Sequence, residues 1–332
     1  MTCKITLESF REGDVEKTWK AVNLYPCKGW PKDAIHHFDR KQAVAVLAAL
    51  AVSRPLLVRG EPGCGKTQLA RAVAQLFAMP LACLVVNERT EPEDLLWRYD
   101  ALRKLSDANA GERCVKDESQ YLSAGPLWWA LNHTSAENRI GSRPYRPVTT
   151  DESGQEREFQ NGVVLLIDEI DKADRSVPNS LLEPLGNLSF EVPYTGERVE
   201  RPKGESDPLI IITTNREQEL PQAFVRRCLV LDLILDDDNK DDFIEILSKR
   251  GQSLFQDRMP GDYGDKTYEK VADLLYEKRM TAKKEGLSFI PGQAEYLDHL
   301  EALIGMKQTA PSIGLDEAME LLAALTFMKS GA

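Results

Sequence analysis

Residues Gly60 to Thr67 read GEPGCGKT, a full match to the phosphate-binding pattern G-x-x-x-x-G-K-[ST]. The apolar run Pro55 to Val58 leads into it as a buried strand would. After it, Leu69, Val73, Leu76 and Phe77 recur at helical spacing, and Pro80 closes the segment. Strand, glycine loop and helix is the context the motif requires. Glycine accepts positive φ at little cost, so Gly60, Gly63 and Gly65 let backbone N–H groups turn toward an anion. The following helix start adds its positive dipole end. Lys66 reaches the β and γ phosphates, and the Thr67 hydroxyl is a magnesium ligand. The binding segment therefore comprises Gly60, Glu61, Pro62, Gly63, Cys64, Gly65, Lys66, Thr67 and Gln68, and its ligand is a nucleoside triphosphate. The motif alone leaves motor, switch, kinase and GTPase open.

A chain of 332 residues can bury one large α/β core with a smaller appended domain. The net charge of −11 argues against a dedicated nucleic-acid surface, which needs a basic stripe. The first thirty residues lack a signal-peptide pattern. The longest apolar run, Ala43 to Val52, falls well short of the roughly 18 residues that span a bilayer and suits a packed helix. Cysteines at 3, 27, 64, 83, 114 and 228 form no C-x-x-C pair, and His36–His37 has no nearby partner ligands. A reduced, cytoplasmic protein that contacts no membrane is the expectation.

Five strand candidates alternate with helical patterns: Leu56–Val58, Leu81–Val86, Val163–Ile167, Leu209–Thr213 and Leu229–Leu233. That alternation predicts an α/β fold, a parallel sheet with helices on both faces and ligands at the carboxyl ends of the strands. Residues 1–40 read as an N-terminal extension, 41–235 as the nucleotide-binding core and 236–332 as a small helical domain. The polar stretches 103–124 and 136–160 look like exposed insertions. Between them GPLWWAL, residues 125–131, reads as a short helix whose Trp128 and Trp129 pack inward or, in the competing view, face a partner or a pore. The acidic run DDDNKDD after Leu235 reads as a solvated hinge.

The third strand candidate, VVLLIDE at 163–169, delivers Asp168 and Glu169 to the sheet's carboxyl edge. Two carboxylates are needed because one must stay bound to magnesium while the other activates the attacking water. LIIITTN ends at Asn215, whose neutral amide can position that water or sense the γ phosphate. LPQAFVRRC at 220–228 places Arg226 and Arg227 at a helix end. An arginine that stabilises transition-state charge is worth about 10³ to 10⁵ in rate, although a pair of arginines also suits the negative end of a helix.

In that order, GEPGCGKT, VVLLIDE, TTN and LPQAFVRRC resemble an AAA+ ATPase, and EPEDLLWRYD at 91–100 with GPLWWAL resembles its MoxR-like branch. The resemblance covers residues 41–235 well and the remainder loosely. It implies a P-loop three-layer core with a five-stranded sheet, a helical lid, and a homo-oligomeric ring, usually of six subunits, with ATP and Mg2+ at the interfaces. Lys66 and Thr67 carry over as Walker A, Asp168 and Glu169 as Walker B, Asn215 as sensor 1, and Arg227, with Arg226 beside it, as the arginine finger. Relatives act as chaperones or remodellers, often beside proteins with von Willebrand factor A domains, and some similar chains occur in bacterial conflict or defence gene clusters. The branch often shows Ser-Pro-Arg at the last lid helix, supplying a sensor 2 arginine. The stretch read here as its counterpart, TAPSIGLDEAM at 309–319, has no arginine.

Three functions follow: an ATP-driven remodeller of a protein partner, a nucleotide-gated assembly switch, and the motor subunit of a DNA-restriction complex. The acidic charge weighs against direct DNA contact in the last. Asn239-Lys240-Asp241-Asp242 matches the guanine-reading N-K-x-D, but it lies in an acidic run rather than directly at a strand end. A small-molecule kinase would fit the loop, but the Asp-Glu and Arg-Arg pairs point to water as the acceptor.

Overall fold

A computed structural model describes residues 5–11, 19–24, 34–109, 117–139, 145–150, 156–261, 263–264 and 266–328. Cys3, Cys27 and Cys114, half of the N-terminal extension, and parts of both expected insertions lie outside the described residues. The chain divides into two compact units, one spanning 1–31, 38–59 and 66–232, the other 32–37, 60–65 and 233–332.

In the first unit the five strand candidates form one sheet. They are β1 (Leu56–Gly60), β2 (Leu81–Val85), β3 (Val164–Asp168), β4 (Leu209–Thr214) and β5 (Leu229–Leu233), in the order β5-β1-β4-β3-β2. Every residue of β3 and β4 is buried, which is why both read as unbroken apolar runs rather than as alternating ones. Parallel register aligns Ile212 with Ile167 and Thr213 with Val58. The carboxyl ends of β1, β3 and β4 therefore lie side by side.

Helix α1 (Arg40–Val52) contains the alanine-rich run. Its N-terminus is capped by Asp39, whose Oδ1 accepts from Gln42 N at 2.8 Å. Helix α2 (Lys66–Leu76) buries Leu69, Ala70, Ala72, Val73 and Ala74. Trp128 and Trp129 are core residues, at 0% and 3% exposure, and the Trp128 indole N–H donates to Ser135 Oγ at 2.6 Å.

The two expected insertions are less solvated than their composition implied. Residues 122–124 pair antiparallel with 97–99, and Tyr121, Leu122 and Ala124 are buried. Their polar reading holds for residues 101–109, a helix that buries no residue at all. In the second stretch Val148 exchanges both backbone hydrogen bonds with Leu81, at 2.8 and 3.1 Å. That bridge covers the outer edge of β2, which would otherwise present unpaired backbone groups. A hairpin of 189–192 and 197–200 follows, and Tyr194 at its tip stacks on Tyr99 with ring centroids 4.0 Å apart.

The second unit contains helices α3 (Lys240–Phe255), α4 (Lys266–Glu285), α5 (Gln293–Thr309) and α6 (Leu315–Thr326). Phe243, Leu247, Val271, Leu275, Tyr296, Leu300 and Leu303 fill its interior. The acidic run is not simply a solvated hinge. Asn239 Oδ1 caps α3 by accepting from Asp241 N at 3.0 Å and Asp242 N at 3.4 Å. This accounts for the apparent N-K-x-D motif as a helix start. Asp237 is mostly buried and ion-pairs with Arg279 and Lys283.

His299 on α5 is fully buried and stacks on Phe327, with centroids 4.7 Å apart. Thr326 Oγ1 donates to Leu322 O, so it accepts from His299 Nδ1–H at 2.9 Å. The ring is therefore the Nδ1–H tautomer, and among the described residues Nε2 is buried without a hydrogen-bond partner. Burial pushes its pKa down to about 4 from the ordinary 6.5 of an imidazole. Between those values the unfolded chain binds a proton that the folded chain refuses, so stability is full above pH 6.5 and falls toward pH 4. His299→Leu should remove this part of the acid sensitivity, on the order of 3 kcal/mol. Urea midpoints of both proteins at pH 7 and 4.5 measure the difference.

Candidate nucleotide-binding and hydrolysis site

The register of the sheet determines which side chains meet. Asp168 closes β3, and Thr213 stands one residue beyond the Ile212–Ile167 pair on the adjacent strand. The Thr213 hydroxyl donates to Asp168 Oδ1 at 2.6 Å and accepts from Glu169 N at 2.8 Å. Thr67, in the first turn of α2, also faces this carboxylate, with Oγ1 at 3.0 and 2.9 Å from its two oxygens. Burial raises the Asp168 pKa, opposed by the Thr213 and Thr67 hydrogen bonds; Glu169 pushes it further up and Lys66 draws it down.

Glu169 leaves the strand in the left-handed conformation, φ +60°, which turns its side chain out of the pleat. Its Oε1 accepts from Asn215 Nδ2 at 3.2 Å and its Oε2 from Lys172 Nζ at 2.7 Å. Asn215 is held in turn by Asp171, which is 2% exposed. The Oδ2 of Asp171 accepts from the backbone N–H groups of Asn215 at 3.1 Å and Glu217 at 2.9 Å. The segment after β3 and the loop after β4 are thus stitched together around Glu169.

The structure brings together Lys66, Thr67, Asp168, Glu169 and Asn215, five residues singled out in the sequence. Lys66 is buried and Gln68 half-buried in the first turns of α2. The loop Gly60–Gly65, with Glu61, Pro62 and Cys64, precedes them in the chain. Gly63 and Gly65 have φ of +75° and +94°, the backbone that anion-cradling loops need.

Arg226 and Arg227 sit apart from the carboxylates. Both are exposed at the end of the short helix Gln222–Val225. Their carbonyls are gripped by Arg54, whose Nε donates to Arg227 O at 2.9 Å and whose Nη2 donates to Arg226 O. Arg54, Asp171, Lys172 and Thr213 are contributors the sequence reading missed. Thr213 adjoins Asn215 in TTN, and Asp171 and Lys172 follow the Asp-Glu pair, so their positions held the signal. Spacing alone does not tell which of them faces the site.

The stretch 309–319 spans the end of α5 and the start of α6. The start of α5 meets the loop, since a Cβ added at Gly63 would lie 2.3 Å from Ala294 Cβ.

A model of the AAA domain (dynein-related subfamily) matches residues 55–228, just over half of the chain. The chain belongs to this family. The match spans all five strands except the last, and with the AAA+ P-loop fold it identifies a nucleotide-binding ATPase domain. Midasin of Giardia intestinalis is 38% identical over 56 residues, which is 17% of this chain and 1% of that protein. NtrX of Brucella abortus, solved in complex with ADP, is 15% identical with a TM-score of 0.45, covering 86% of this chain and 53% of that one. The Thermotoga maritima RuvB Holliday junction branch migration motor is 16% identical with a TM-score of 0.43, covering 86% of this chain and 67% of its own. The chain thus spans about half of the NtrX chain and about 1% of the midasin chain.

The residues present fit a bound nucleotide and a divalent cation. A hydroxyl and a buried carboxylate within 3.0 Å form a pair that magnesium, which keeps waters and phosphate oxygens as most of its ligands, can use. Among the described residues no cluster of three or more His, Cys, Asp or Glu side chains is placed to hold a metal on its own. Without a cation, the charged form of Asp168 is disfavoured. Its raised pKa means that the folded chain takes up a proton more readily than the unfolded one, so this group's contribution to stability falls as pH rises from about 4. Asp168→Asn should therefore stabilise the nucleotide-free protein at pH 7 while losing the further stabilisation by ATP with Mg2+. Thermal unfolding with and without both ligands measures each effect.

Proposed function

We propose that this chain is a Mg2+-dependent, ATP-hydrolysing member of the MoxR-like branch that works as a homo-oligomeric, usually hexameric, ring on a protein partner. One observation carries the reading. The carboxylates and Asn215 are assembled within the chain, whereas Arg226 and Arg227 are exposed and make no hydrogen bond or ion pair to those carboxylates among the described residues. Such arginines serve a site on a neighbouring copy.

In this reading Lys66 and the backbone of the phosphate loop bind the triphosphate, and Thr67 and Asp168 hold the cation. The cation neutralises charge on the β and γ phosphates. Glu169 accepts the proton of the attacking water, and Asn215 fixes the carboxylate that does so. Asp171 keeps Asn215 in register through its backbone. Arg227, with Arg226 beside it, meets transition-state charge in the adjacent subunit. The output is remodelling of a protein, with a von Willebrand factor A domain protein as the partner the branch suggests and bacterial conflict or defence as its setting. The acidic charge of the chain supports a cytoplasmic protein target rather than direct nucleic-acid binding.

A specific contact supports the switch as the second reading. With both Glu169 oxygens engaged, one of them by the Lys172 ammonium, the base is restrained until assembly or a partner frees it.

Turnover per subunit should climb with protein concentration as ATP-dependent rings form, followed by light scattering in ATP and in ADP. Assembly without turnover selects the switch; turnover independent of concentration removes the trans-acting arginine. Glu169→Gln should keep ATP binding, trap assembled rings and lower turnover by about 100-fold or more. Arg227→Ala subunits mixed with wild type should depress activity more than in proportion to their fraction, and proportional dilution would rule out action in trans.

A further inference from the structure

Arg279, in the third quarter of α4, is 1% exposed and is one of the largest fully buried side chains of the protein. A guanidinium removed from water needs its donors satisfied. Its Nε pairs with Asp237, and Nη1 donates to the carbonyl of Pro291 at 3.0 Å. These partners belong to the same unit and set the plane of the fork. What remains points at the phosphate loop: Nη1 lies 3.0 Å from Glu61 Oε2 and Nη2 lies 3.1 Å from Glu61 Oε1. This is the parallel, two-bonded geometry that distinguishes arginine from lysine. Glu61 is the second residue of GEPGCGKT, and its own side chain is 47% exposed. The pair is thus a buried, preset fork that receives a carboxylate from a surface loop.

The same guanidinium fastens the other neighbour of that loop. Pro291 leads into α5, where Gly292 N donates to Glu295 Oε2 at 2.9 Å. Ala294 in the first turn is the atom group that would meet a side chain at Gly63. Arg279 therefore holds Glu61 at one end of the loop and the turn that abuts Gly63 near the other.

We propose that Arg279 is a positioning residue for the phosphate loop: through its two-bonded contact with Glu61 it holds residues 60–65 in the conformation that receives phosphate. No arginine occurs at 309–319 or in the first turn of α5, and the coupling proposed here runs from an interior helix to a loop carboxylate. This inference rests on the loop's role in phosphate binding.

Hydrogen–deuterium exchange on the nucleotide-free full chain tests the positioning without any ligand. Glu61→Gln and Arg279→Lys should both speed exchange of the amides of residues 61–65 by about tenfold, with α3, α5 and α6 unchanged. Both should weaken binding of a fluorescent ATP analogue by about tenfold, and in Arg279→Lys turnover at saturation should stay within about twofold, a split that general destabilisation does not produce. The Glu61→Gln, Arg279→Gln double variant should lose no more than the worse single variant. Wild-type loop exchange in Glu61→Gln overturns the proposal, and because Glu61 is half-exposed that variant stays informative if Arg279 variants fail to fold. Lys66→Ala separates the two ideas. If it binds the analogue as wild type does, the phosphate-binding reading falls, while loop exchange still decides whether Arg279 positions the loop.

Discussion

A carboxylate kept out of water at the end of a strand is the constraint on which this site depends. Asp168 is 7% exposed, and its charged form is tolerable because two hydroxyls, Thr67 and Thr213, donate to it. Each hydroxyl comes from a different element, α2 and β4. Their convergence follows from parallel register: β3 and β4 align residue by residue up to Ile167 and Ile212, and the next residue on each strand is the one that acts. A slip of one residue would turn Thr213 to the other face of the sheet and leave the carboxylate short of a partner. The apolar runs that make the sheet thus also set the chemistry at its edge.

Two of the five described non-glycine residues with positive φ lie where the chain turns away from that edge. Glu169 and Arg216 adopt φ of +60° and +64°, costly for residues with side chains, and each directly follows or precedes a residue of the site. The Thr213 hydroxyl, the Asp171 carboxylate and the Thr214 hydroxyl, which accepts from Arg216 N at 3.0 Å, compensate by satisfying the backbone at those turns. Asp171 contributes most, since one of its oxygens takes two N–H groups from the opposite loop. Its other oxygen is buried without a hydrogen-bond partner among the described residues.

Much of this was legible in the sequence because the residues concerned are local. Gly60 to Thr67 and Asp168–Glu169 are contiguous strings at the ends of apolar runs, and a run's end predicts its position on the sheet. Asn215 was legible for the same reason. Arg279 was not: it lies in a helix otherwise readable as an ordinary amphipathic one, and its partner Glu61 is 218 residues away. Edge cover by Val148 was hidden too, since a single exchanged pair of backbone bonds carries no side-chain signature. Which helix start lies against the loop is a matter of packing, and Ala294 against Gly63 brings the start of α5 there.

The two restraints described, Lys172 on Glu169 and Arg279 on Glu61, differ in what they can regulate. Lys172 and Glu169 are both partly exposed, so their pair is worth little as a source of stability and breaks easily when a new charge arrives. Arg279 is buried and cannot give up its carboxylate without leaving a guanidinium poorly satisfied, so its contact is persistent. Under the proposed function, a labile pair beside Glu169 and a durable pair beside the loop fit a site whose binding geometry is kept ready while Glu169 is released on demand.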